Sequence, residues 1–95
     1  MPANPVRYGV LNSSEPQVHE LPPLRYGTGL IAVRVEVRRA DDGTWRGRLM
    51  FQAPGSETAA STGEILCGAN ENDLWESVRD LRDHHLRDLY RSLVE

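Results

Sequence analysis

The stretch from Leu30 to Gln52, "LIAVRVEVRRADDGTWRGRLMFQ", limits the fold more than any other part of the chain. In its first half Ile31, Val33, Val35 and Val37 alternate with Ala32, Arg34, Glu36 and Arg38. A period of two with β-branched residues on one side is the pattern of a half-buried strand. Asp42-Gly43 follows, a strong hairpin signal because glycine tolerates positive φ. The second half alternates again, with Trp45, Gly47, Leu49 and Phe51 on one face and Arg46, Arg48, Met50 and Gln52 on the other. An antiparallel pair with one apolar and one Arg-rich face is therefore expected.

"APGSET" reads as a loop, and "ASTGEILC" as a third, weaker strand containing Gly63. Asn70 suits a helix N-cap, with Asp73 three residues later as a weak capping-box acid. Leu74, Trp75, Val78, Leu81, Leu86, Leu89, Tyr90 and Leu93 then recur as one apolar stripe without Gly or Pro, which predicts a single helix over about 71–93. The fold class expected is α+β: a three-stranded antiparallel meander packed on one C-terminal helix, β-β-β-α.

The first 29 residues hold five of the six prolines. Proline removes backbone donors and stiffens the chain. Residues 1–28 read as a Pro-rich arm, partly ordered at most, ahead of a domain over 29–95. Within the arm, "VRYGVLN" (6–12) suits a short extra edge strand and "ELPPLRYGTG" (20–29) an extended connector. The whole is about one domain, and its core is thin.

Several function classes lose support from composition. No stretch approaches the roughly 18 apolar residues of a membrane span, and residues 1–12 lack the charged and apolar blocks of a secretory signal; a cytoplasmic protein is expected. A single cysteine, Cys67, rules out an internal disulfide and a multi-thiolate metal site within one chain; it reads as a small core residue. All eleven basic residues are Arg, which suits planar, bidentate contacts with carboxylates or phosphates, although codon bias in a GC-rich genome also explains it. A net charge of −3 argues against binding nucleic acid by charge alone.

Asp83-His84-His85 resembles a metal-binding triplet of phosphoesterases, but successive helix residues point about 100° apart and cannot converge on one ion. His85 lies four residues after Leu81 and seven after Val78, inside the predicted stripe, and is expected to be at least partly buried. His84 points away, between Asp80 and Asp88. Arg79 with Asp83, Asp83 with Arg87, Glu76 with Arg79 and Asp88 with Arg91 have the spacing of helix ion pairs. No metal or other cofactor is expected. His19 lies in the arm, the serines lack a nucleophile-elbow context, and "YGTG" (26–29) is too short for a phosphate loop; no enzyme activity is expected.

The remaining candidate site is the Arg-rich sheet face. Arg34 and Arg38 on the first strand lie near Arg46 and Arg48 on the second, with Glu36 between them and Met50 alongside. Like charges across strands are unfavourable without an intervening counter-charge, which a bound acidic segment of a protein partner or an RNA backbone could supply; the uncovered face and the thin core favour association as a homodimer. RNA fits less well, since the face lacks rings that stack bases.

"RRADDGTWRGRLMF" and "GANENDLWESV" together resemble the HicB-like antitoxin domain: an acidic Asp-Gly turn ahead of an aromatic on the second strand, then a glycine, a capping residue and an acidic helix start. Pro54-Gly55 is the one trace of that family's proline-glycine pattern after the second strand. Over residues 30–90 the resemblance implies the same strand and helix order, and pairing with a small RNase toxin.

Overall fold

The computed structural model describes residues 15–95. The expected edge strand at 6–12 lies outside the described residues. The alternating segments form β2 (Gly29–Arg39) and β3 (Trp45–Gln52), antiparallel and in the register Val33–Phe51, Val35–Leu49 and Val37–Gly47. Their turn uses Gly43 at a φ of 87°. Asp42 accepts hydrogen bonds from the Thr44 N–H (3.0 Å) and hydroxyl (2.6 Å), so its side chain closes the turn.

The expected connector is instead a long strand, β1 (Gln17–Tyr26), paired antiparallel with β2. Two devices allow it. Pro22 and Pro23 fall in a bulge, where the register shifts between Leu21 and Leu24, and among the described strands β1 is the edge of the sheet. At a bulged edge a missing N–H breaks no ladder. Gly27, with a φ of 62°, then allows the two-residue turn Gly27-Thr28 between Tyr26 and Gly29. The anticipated boundary between 28 and 29 thus falls inside a hairpin. Leu24, from the supposed arm, is only 2% exposed.

The expected third strand is two short ones, β4 (Ala60–Ser61) and β5 (Leu66–Gly68), which pair with opposite ends of β3. Thr62 bridges the gap between them. Its N–H donates to Leu49 O (2.9 Å), and its hydroxyl accepts from Leu49 N–H (3.0 Å), replacing a strand residue with one side chain.

The predicted single helix is also two: α1 (Glu71–Arg79) and α2 (Asp83–Val94). Asn70 caps α1 by accepting from Asp73 N–H at 2.9 Å. The chain breaks at residues 80–82, where Arg82 is extended (φ −101°, ψ 162°). Leu81 and Leu86 are five residues apart, about 140° out of phase on one helix. Breaking the helix lets both meet the core margin, and leaves His85 in solvent. The expected burial of His85 is therefore corrected, for that geometric reason.

One core lies between the inner sheet face and the helices: Leu24, Ile31, Val33, Val35, Val37, Leu49, Phe51, Leu66, Leu74, Val78 and Tyr90. The core closes around Gly47, where a Cβ would meet Leu66, Leu74 and Val37 at 3.5 Å, an ordinary van der Waals separation. Among the described residues the architecture is α+β, a five-stranded antiparallel sheet with two helices on one face.

Candidate functional site

Strand alternation brings the sequence-derived candidates together. Arg34 and Arg38 on β2, with Arg46, Arg48 and Met50 on β3, share the face turned away from the helices, and Arg34–Met50, Glu36–Arg48 and Arg38–Arg46 are cross-strand neighbours. No described helix covers this face.

Each of the four arginines has a carboxylate within the fold. Arg48 Nε donates to Glu36 Oε1 at 2.6 Å. Arg38 donates through Nε and Nη2 to the two oxygens of Glu64, at 2.5 and 2.8 Å, a bidentate fork. Arg34 lies 3.8 Å from Glu20 across to β1, and Arg46 lies 3.6 Å from Asp42. Glu36, Glu64, Glu20 and Asp42 thus answer the like-charge problem posed by the sequence. Of these acids, only Glu36 was visible as a partner beforehand. Glu64 is far away in sequence, and Glu20 belonged to a segment not expected to be a strand.

The electrostatics follow the contacts. The hydrogen bonds and positive charge of Arg38 hold the Glu64 carboxyl below its ordinary range, against a smaller opposing effect of burial. The Thr44 hydroxyl and backbone hydrogen bonds do the same for Asp42, helped by Arg46. The Arg38 guanidinium is correspondingly raised. The face is an interleaved array of paired charges, with Val18 (53% exposed) and Leu30 (51%) beside it as apolar positions.

Cys67 belongs to this side too. It is exposed and faces Arg46 across the β3–β5 pair, so the expectation of a core cysteine is corrected. Strand alternation sends Leu66 into the core and Cys67, its neighbour, to the outer face.

A second feature is a cleft of about 280 Å³ between the Pro22-Pro23 bulge and the break between the helices. Leu21, Leu24, Val78, Leu81 and Leu86 form its walls, with Arg79 and Asp83 among the lining groups. Nearby, His19 lies on the inner side of β1 with its ring edge-to-face with Trp75 (4.9 Å between centroids). His19 Nε2 is buried with no hydrogen-bond partner among the described residues.

Asp83, His84 and His85 do not form an ion site, and among the described residues no three His, Cys, Asp or Glu side chains converge on one. The His84 and His85 rings lie 4.0 Å apart, both exposed on the first turn of α2. Of the anticipated helix ion pairs, only Asp88–Arg91 comes within 4 Å (3.5 Å) among the described residues. Arg79 and Asp83 fall on different helices. Among the described residues no helix is long and apolar enough to cross a membrane.

Compared with protein-family models, curated proteins and solved structures, the chain matches none of them. The described residues form a small α+β fold with one sheet face that no described element covers.

Proposed function

We propose that this chain is a small, non-enzymatic protein-interaction domain that self-associates as a homodimer through its open sheet face. The observation that carries this reading is the face itself: four half-exposed arginines, each already oriented by a carboxylate, with no described element over them. A face of alternating paired charge is complementary to another face of alternating charge, and a second copy supplies one. It suits a polyanion poorly, because Glu20, Glu36, Glu64 and Asp42 cancel the field that would draw phosphates. No aromatic ring lies on it among the described residues for bases to stack on. The antitoxin-like form of the same proposal brings a small RNase to this face in place of the second copy.

Sedimentation equilibrium from micromolar to millimolar concentration tests the dimer. A mass of two chains is expected, reverting toward one in the double variant Arg46→Glu/Arg48→Glu with the fold intact by circular dichroism. A monomer across the whole range overturns self-association. Co-purification of a small RNase from the native host would then favour the antitoxin-like form.

A further inference from the structure

Helix α2 begins without an ordinary cap. The first N–H groups of a helix have no partner within it, and an N-cap side chain usually accepts from one of them. Arg82 stands at that position, and its guanidinium carries only donors. The usable side-chain contact at this end runs the other way: the Arg82 backbone N–H donates to His85 Nδ1 at 3.2 Å. His85 thus occupies the place that Glu or Gln holds in a capping box.

Histidine differs from those residues in one respect. Nδ1 accepts only while it carries no proton, and the doubly protonated ring has no acceptor at all. Protonation would also place positive charge 4.0 Å from the His84 ring, at the positive end of a helix dipole. The charged neighbours in the chain are Arg82 and Asp83 before His85, Arg87 and Asp88 after it, and Arg79 and Asp80 before the break. The β1 wall of the adjoining cleft, residues 21–24, carries no titratable group. The acids temper the charge, but none restores the lost acceptor. The same first turn supplies Asp83 and Leu86 to the cleft, so its order and the shape of the cleft are linked.

We propose that His85 is a pH-sensitive latch on the start of α2. Neutral, it closes the turn that follows the helix break. Protonated, it has no acceptor to offer, releases Arg82, and the first turn frays. The contact is present on the alkaline side and absent on the acid side.

Amide hydrogen exchange by NMR on the full chain tests this, with protection factors corrected for the intrinsic pH dependence of exchange. The probes are Arg82 and Leu86, whose N–H donates to Arg82 O at 3.0 Å, with Val35 in the sheet as the internal reference. Protection at the probes is expected to drop about five-fold relative to Val35 between pH 8 and pH 5.5, the size of an ordinary capping effect. His85→Gln keeps an acceptor that does not titrate and should hold protection at both pH values. His85→Ala should lack it at both, and His84→Gln should titrate like the parent. A parent chain whose relative protection does not change with pH, or a His85→Gln variant that titrates like the parent, overturns the proposal.

Discussion

Single residues at the β3 edge and at the start of α1 do work that larger elements do elsewhere. Thr62 keeps both polar groups of Leu49 satisfied where no strand runs. Thr62→Val keeps the shape but leaves a buried N–H without a partner, and should cost about 1–3 kcal/mol in a urea titration, whereas Thr62→Ser should cost less. Gly68 is constrained by contact rather than by φ. A Cβ there would come 2.5 Å from the Leu74 nitrogen and 2.9 Å from the Asp73 carbonyl carbon. Gly68→Ala should therefore push α1 away from β5 and destabilise the fold by about 1–3 kcal/mol, measured by the same titration. Neither role can be read from the sequence, because both depend on segments that meet only when the sheet is assembled.

At the scale of elements, β1 and the helix break are the two departures from the expected plan. Two prolines in a row argue against a strand when neighbours are unknown. They are harmless in β1 because the bulge and the sheet edge absorb them. A chain starting at residue 29, the boundary that composition suggests, would lose Leu24 and uncover Ile31 and Val33. It should show no cooperative melt by circular dichroism. The break at 80–82 has a similar origin: the leucine spacing was visible, but a local shift of phase fits it better than a straight helix does. The cap of α1 is the local exception, legible from Asn70 alone. Asn70→Ala should cost about 1 kcal/mol of stability in chemical unfolding.

For the whole molecule, charge pairing on the outer face makes stability depend on acid. Glu64 and Asp42 have carboxyls held below their ordinary range by Arg38 and Thr44 respectively. A depressed carboxyl contributes stability that is fully present above its unfolded value, about 4, and is lost as the pH falls through the lower folded value. Thermal melts should therefore hold steady from pH 7 to about 5 as far as these two groups are concerned, and fall below about 4. Glu64→Gln should flatten part of that fall, and its unchanged acid limb would remove Glu64 as a cause. The contribution is modest, because the pairs lie at the surface and salt screens them.

Local sequence pattern is enough to specify the β2–β3 hairpin, its turn at Asp42-Gly43, the two faces of the sheet and the cap at Asn70. These rest on local periodicity and on backbone preferences that neighbours a few residues away enforce. It also placed Arg34, Arg38, Arg46, Arg48 and Met50 on one surface, because alternation alone sorts a strand into faces. Assembly in three dimensions makes the Pro-rich segment a strand, brings Glu20 and Glu64 to distant arginines, turns Cys67 to solvent and keeps His85 at a helix start, outside the core. Each of those depends on which segments become neighbours in space, and the free energy of packing overrides local preference where the two conflict.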